Sequence, residues 1–324
     1  MRRVLVWSGL LLSLAFGYLA FRGVDLDELR DALGEANYAY LLPAAAALAA
    51  GVGVRAWRWQ LLFESGRRPQ FAPVLNALLI GYLFNTILPA RPGEIVRIQV
   101  LGTRAGISRA EVLATVVLER IYDLVVLIAL LALAAPFLPE VGWLNAALAL
   151  GAVLGLGLVA GAVLVRRYGR RGARVLLRPV RLLPRVTDER LDSLAASLVA
   201  GLAAIRATRT AAVAIAVTAL SWILLAVSGW FLLRGMRIDE GFPAALLVLV
   251  ATNLVLVLPS SPAGLGAFEA AAVLALAAYG VQREQALSYA LVLHAVNALP
   301  FIAIGYAALW VSTRRVGSES RSAS

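Results

Sequence analysis

Apolar residues run along this chain in blocks of about twenty, separated by short stretches where arginine or acidic residues collect. A bilayer core about 30 Å thick needs about 20 apolar residues per spanning helix, so the blocks predict an all-α polytopic membrane protein. They fall at residues 4–21, 38–63, 111–138, 143–165, 210–233 and 286–311, which predicts about six full spans. Two further apolar stretches, 71–108 and 242–282, exceed one span. Each is interrupted by prolines, in LPARPGE at 88–94 and in LPSSPAG at 258–264. Proline removes a backbone donor and drives the preceding residue out of helical angles, so Pro89, Pro92, Pro259 and Pro262 predict two broken helices.

Charge then orients the blocks. Arg2 and Arg3, Arg67 and Arg68, the cluster Arg166, Arg167, Arg170, Arg171 and Arg174, and Arg314 with Arg315 mark the cytoplasmic side, which places both termini there. The alternation closes only if each proline-broken stretch enters and leaves on one side, as a re-entrant helix pair or a double crossing. Span, broken pair, span then occurs twice in opposite orientations, an inverted repeat with halves at 38–138 and 210–311. The order of polar landmarks repeats too: Asn85, Pro89, Gly93 and Glu94 against Asn253, Pro259, Gly264 and Glu269. Residues 1–315 form one transmembrane domain under this reading, with 316–324 a disordered tail. The first block is a retained signal anchor. Residues 24–35 form a short amphipathic helix on the outer surface, and the basic linker 166–209 lies as an amphipathic helix on anionic lipid.

Composition removes most other classes. A 61% hydrophobic fraction and a mean hydropathy of +0.83 leave no room for a soluble catalytic module, and an enzyme is not expected. The chain has no cysteine and one histidine, His294, which excludes thiolate and His-built metal sites; no cofactor is expected. The formal charge of +11 comes from arginines beside apolar blocks, so anionic lipid headgroups account for it better than nucleic acid. All thirty basic residues are arginine, which fits a GC-rich genome and the cytoplasmic membrane of a bacterium or archaeon.

The breaks and the buried charges carry the candidate chemistry. Irregular backbone inside a membrane survives only when it is buried in protein or lines a wet cavity, and broken spans in matching positions point to a transport site. Helices resuming after Pro92 and Pro262 aim positive N-terminal ends at the breaks, which suits phosphate or carboxylate. Arg91 precedes the first of these helices, and Glu94 and Arg97 share one of its faces. Glu119, Arg120 and Asp123 lie about 12–18 Å along a span from Glu111, where ionisable groups are costly and need partners. Glu119 and Asp123 are one turn apart, and Arg120 is placed to reach Asp123. Glu269 stands alone in the apolar run AFEAAAVLALAAY. His294 and Asn297 share a face of the last span and read as a helix-to-helix hydrogen bond, while Arg55, Trp57, Arg58 and Trp59 read as an interfacial anchor belt. Gly51 and Gly53, and the series Gly151, Gly155, Gly157 and Gly161, read as close helix packing.

Asn85 with LPARPGEIVR (88–97), then Glu119, Arg120 and Asp123, then Pro259 with SPAGLGAFE (261–269), resemble the transmembrane domain of lysylphosphatidylglycerol synthases, which also occurs in stand-alone flippase-like proteins of the YbhN type. The resemblance runs over about residues 4–312. It implies a lipid translocase moving an anionic or aminoacylated phospholipid, with Gly264 and Gly266 joining the substrate pathway and a homo-oligomer possible. The soluble aminoacyl-transferring part of the synthases has no counterpart here, so that activity is not implied. Ala90 and Ala263 stand where the family often has glycine. No G-x-x-x-x-G-K-[ST] motif is present, which argues against ATP as the direct drive. A small-solute or ion transporter and a non-transporting scaffold for envelope lipid or polysaccharide synthesis are the alternatives.

Overall fold

A computed structural model describes residues 14–64, 66–89, 91–139, 142–179, 187–203, 208–256 and 262–322, and among these there is no strand. Helix α1 covers 14–21. Helix α2 (Leu26–Gly34) is the expected amphipathic one: the Asp25 side chain caps its first turn, accepting from the amides of Asp27 (2.8 Å) and Glu28 (3.3 Å). Its buried Leu29 packs with Ala20 and Leu287. The next helices are α3 (Leu41–Leu61), α4 (Phe71–Ile87), α5 (Gly93–Ala105) and α6 (Arg109–Ala134). After them come α7 (Gly142–Tyr168), α8 (Arg170–Leu176), α9 (Asp188–Ala203), α10 (Thr208–Gly235), α11 (Phe242–Val255), α12 (Ala267–Ala277) and α13 (Arg283–Ser322).

Among the described residues, three helices, Tyr38–Leu61, Ala211–Gly235 and Arg283–Ser312, are long and apolar enough to cross a membrane. Both broken stretches are helix pairs. Their members have 17 and 13 residues in α4 and α5, and 14 and 11 in α11 and α12, so none reaches the about 20 residues of a full span. The helix-to-helix neighbours form a regular pattern. Helix α3 packs against α10, α4 lies against α5 and α13, and α11 lies against α12 and α6. Exchanging α3, α4, α5 and α6 for α10, α11, α12 and α13 converts one set of neighbours into the other. Apolar burial follows the same division: one core holds Trp59, Val74, Leu78, Leu101 and Val112, the other Leu232, Leu233, Leu247, Leu276 and Tyr289. A Cβ at Gly51 would meet Leu224 and Leu225 of α10 at an ordinary 3.4–3.5 Å, and one at Gly53 would meet nothing within 4 Å, so neither glycine is required by the packing around it.

The linker departs from expectation. Part of 166–209 folds back rather than lying free: α7 ends at Tyr168, the chain turns at Gly169, and α9 packs against α6, α7 and α8. Val165, Ala173 and Ala195 bury one another, and Arg174 binds Asp192 through two hydrogen bonds of 2.7 and 2.9 Å. A single free amphipathic helix is ruled out locally because Ala173 on α8 and Ala195 on α9 are covered by protein, although Val175 and Leu176 of α8 stay exposed. At the other end of the chain, helical backbone in α13 continues to Ser322, into the stretch expected as a disordered tail.

The second break contains the short turn Pro262–Gly264, which packs on α4. Ala263 sits there at φ 56°, a left-handed conformation that glycine adopts without steric cost. Ala263→Gly is therefore expected to raise stability by about 0.5–1 kcal/mol in thermal unfolding of the detergent-solubilised protein. The same change at helical, buried Ala272 should lower it.

Candidate functional site

Glycine and asparagine close the first hairpin. Gly93, the first residue of α5, lies so near α4 that a Cβ there would stand 1.9 Å from the Gly81 carbonyl oxygen and 2.6 Å from Asn85 Oδ1. The Gly93 amide donates to Asn85 Oδ1 at 2.7 Å, so Asn85 satisfies one orphan donor of the helix start. Pro89 lies in the break beyond α4. Arg91 follows at φ 49° and donates through Nη1 to the Leu256 carbonyl at 2.8 Å, which ties the first break to the end of α11. The two breaks thus meet.

Behind the first hairpin lies a buried charge network. Arg58 is fully buried and pairs with Glu119 at 2.9 Å and with Asp123. Arg97, also buried, binds Glu119 at 3.1 Å and Glu94 at 2.5 Å. Arg120 pairs with Glu94 and approaches Asp123 at 3.8 Å. Neutral donors and ring faces complete the shell: Trp222 Nε1 donates to Asp123 Oδ1 at 3.0 Å, Thr218 Oγ1 accepts from Arg58 at 3.3 Å, and the Arg97 guanidinium lies 4.8 Å from the Trp59 ring centroid. Glu94 with Arg97 and Arg120 with Asp123 are the two local contacts that spacing predicted. Trp222→Phe, which removes the N–H together with part of the ring that Arg55 stacks on, is expected to cost at least about 1.5–3 kcal/mol in thermal unfolding, the value of a hydrogen bond to a charged group.

The anchor-belt reading of 55–59 needs correction. Trp57 is exposed, but Arg58 and Trp59 are fully buried, with Trp59 Nε1 donating to Thr115 Oγ1 at 2.9 Å. Arg55 stacks 4.3 Å from the Trp222 ring and donates to the Tyr82 hydroxyl at 3.3 Å. The missed signal was helical phase: Arg55, Arg58 and Trp59 share the face opposite Trp57.

The second break is built differently. Gly264 and Gly266 take positive φ, 81° and 84°, and the Gly266 amide donates to Glu269 Oε2 at 2.7 Å. Glu269 Oε1 lies 2.5 Å from Nδ1 of His294 on α13, so the acid is not alone; His294 makes the expected helix-to-helix contact. Asn297 bonds within its own helix, to the Leu293 carbonyl at 2.8 Å, and Asn253 does likewise to Leu249 at 2.8 Å. Pro259 lies outside the described residues.

Between the two hairpins is a cavity of about 190 Å³. Helices α3, α4 and α6 bring Arg55, Tyr82, Asn85 and Arg120 to it, Arg91 and Glu94 come from the first break and α5, and Asn253, Ala263, His294 and Asn297 come from the second half. Of the residues assigned to the substrate pathway from the sequence, Asn85, Arg91, Glu94, Arg120 and Asn253 line this space. Gly93, Arg97, Glu119, Asp123, Gly264, Gly266 and Glu269 stand behind its wall, where they shape the breaks or neutralise one another.

Comparison with known proteins accords with this geometry. Residues 6–305 match the family described as the lysylphosphatidylglycerol synthase TM region. The chain belongs to that family. It is thus a membrane protein, and its breaks and buried charges fall inside the matched region. The chain is 28% identical over 331 residues to a protein named glycosyltransferase AglD from Haloferax volcanii, across 91% of this chain and 52% of that protein. It therefore spans about half the length of that relative. It is also 26% identical over 251 residues to a UPF0104 membrane protein from Methanothermobacter thermautotrophicus, covering 74% of each.

Proposed function

We propose that this family member is a lipid translocase in which a phospholipid headgroup passes between the two broken hairpins while its acyl chains stay in the bilayer. The observation that carries the reading is the cavity lined at once by arginines beside the first break and by polar residues of the second half. Its volume of about 190 Å³ is below the about 300–1,000 Å³ usual for small-molecule sites, which suits a headgroup and not a whole lipid. The exchangeable pattern of helix neighbours supports an inverted repeat, and the short paired helices support re-entrant hairpins meeting near the midplane. The protein then works as a transporter rather than an enzyme, in a cytoplasmic membrane with both termini inside, driven by scrambling or ion coupling. A second reading, membrane support for glycosyl transfer to a lipid, draws on the name of the Haloferax relative.

The test is a reconstituted assay with lipids labelled on the acyl chain and a membrane-impermeant quencher. Protein-containing vesicles are expected to lose most of their signal, whereas protein-free vesicles keep the inner-leaflet half. Arg120→Gln, which opens the ion pair at the cavity wall, should slow that loss about tenfold. Equal signal in vesicles with and without protein, for every lipid tried, would overturn the translocase reading and favour the second.

A further inference from the structure

Charge around the cavity is unbalanced. Arg55, Arg58, Arg91, Arg97 and Arg120 face the three carboxylates Glu94, Glu119 and Asp123, an excess of two positive charges. Every carboxylate is already engaged: Glu94 by Arg97 and Arg120, Glu119 by Arg58 and Arg97, Asp123 by Arg58 and Trp222. Across the cavity Glu269 is taken up by His294 and the Gly266 amide. The surplus lies on Arg55 and Arg91. Neither makes an ion pair within 4.0 Å among the described residues.

Each of the two arginines is only partly satisfied. Arg55 gives one hydrogen bond to the Tyr82 hydroxyl, while its Nε and Nη2 are buried with no partner. Arg91 gives one to the Leu256 carbonyl. Unpaired cations within a membrane protein are costly unless an anion or water completes them. Guanidinium donors suit the paired oxygens of a phosphate. Of the remaining polar lining, Glu94 and Arg120 pair with each other and His294 with Glu269, while Tyr82, Thr86, Asn253 and Asn297 offer neutral hydroxyls and amides. That set suits hydroxyl groups. It offers no free carboxylate to receive an ammonium.

We propose that Arg55 and Arg91 form a phosphate subsite for an anionic headgroup whose other substituent is neutral and hydroxyl-bearing, a glycerol or a sugar, and that aminoacylated and zwitterionic lipids are disfavoured. This rests on the reading of the cavity as a headgroup route, and it narrows the lipid class that the family resemblance implied.

Binding of water-soluble short-chain lipids to the purified full-length chain in detergent tests the proposal without requiring transport. Tryptophan emission is the readout, since Trp222 lies under Arg55. Dihexanoyl phosphatidylglycerol is expected to bind at least about tenfold more tightly than dihexanoyl phosphatidylcholine or the lysyl ester of the glycerol lipid. Arg55→Gln and Arg91→Gln should each weaken its binding about tenfold, and should also weaken whatever binding the choline lipid shows, since that lipid carries the same phosphate. Arg91 is exposed at the break, so its variant tests the subsite even if Arg55→Gln does not fold. Lysyl or choline lipid binding as tightly as phosphatidylglycerol, or phosphatidylglycerol binding that survives both substitutions, would overturn the subsite. A short-chain prenyl phosphosugar in the same assay separates sugar from glycerol, and preference for either over choline supports the proposal. Selective binding without lipid movement would sink the translocase reading alone; movement of zwitterionic and anionic lipids at equal rates would sink the subsite alone.

Discussion

Arg58→Gln is expected to lower the stability of this protein by about 3–5 kcal/mol, the largest effect of any single substitution considered. Arg58 is fully buried and is shared by Glu119 and Asp123 on the facing helix. Removing it leaves Asp123 with the Trp222 N–H, Arg120 at 3.8 Å and the nearby charge of Arg55, in a place that water does not readily reach. A loss of that size is a large fraction of the about 5–15 kcal/mol that ordinarily separates folded from unfolded protein. Thermal unfolding in detergent measures it. The physical cause is tested by adding Asp123→Asn. If the loss comes from an uncompensated carboxylate, the double variant is more stable than Arg58→Gln alone; if it comes from lost packing, the second substitution adds to the damage.

Gly93→Ala is the other severe change, because a single methyl group must fit where the α4 backbone already stands. The new Cβ would lie 1.9 Å from the Gly81 carbonyl and 2.6 Å from Asn85 Oδ1, so helices α4 and α5 must separate and the bond from the Gly93 amide to Asn85 must lengthen. Overpacking against side chains costs about 1–3 kcal/mol, and here the obstacle is backbone, so a loss of about 3 kcal/mol or more is expected. Gly81→Ala is the internal control. Its Cβ would meet the Gly93 carbonyl at 3.1 Å, which a shift of a few tenths of an ångström relieves, so its loss in the same unfolding assay should be clearly smaller. Equal effects at the two glycines would contradict the close approach.

Much of the helical framework was legible because bilayer thickness imposes a length on apolar runs, and the predicted spans 38–63 and 210–233 agree with α3 and α10 within a few residues. The two interruptions were legible because proline cannot continue a helix, and the charges at 119–123 stood out because apolar surroundings make them costly. What the sequence concealed was pairing across the chain. Arg58 lies 65 residues from Asp123, and Trp222 lies 99 from it, so no periodicity connects them. Near the end of a span, RAWRW has the composition of an interfacial belt. Only the need of Glu119 and Asp123 for cations, combined with the helical phase of Arg55 and Arg58, could have drawn those arginines inward. Glu269 shows the same limitation: it looked isolated within its own helix, and the hydrogen bond expected of His294 came with no sequence signal naming its partner. The linker was misjudged for a related reason: a helix with one apolar face has the same pattern whether lipid or protein covers that face.

The central claim is that the space between the two hairpins is a wet route that a lipid headgroup enters. The chain contains no cysteine, so single cysteines at Thr86 and Ala298, one from each half and both lining the cavity, are the only thiols in their variants. Their modification by a membrane-impermeant thiol reagent, applied in turn to each side of sealed vesicles, is the most direct measurement. The account predicts that both react from at least one side, and that dihexanoyl phosphatidylglycerol slows the reaction. Folded protein in which neither thiol reacts from either side would mean a dry, structural cavity and would contradict it.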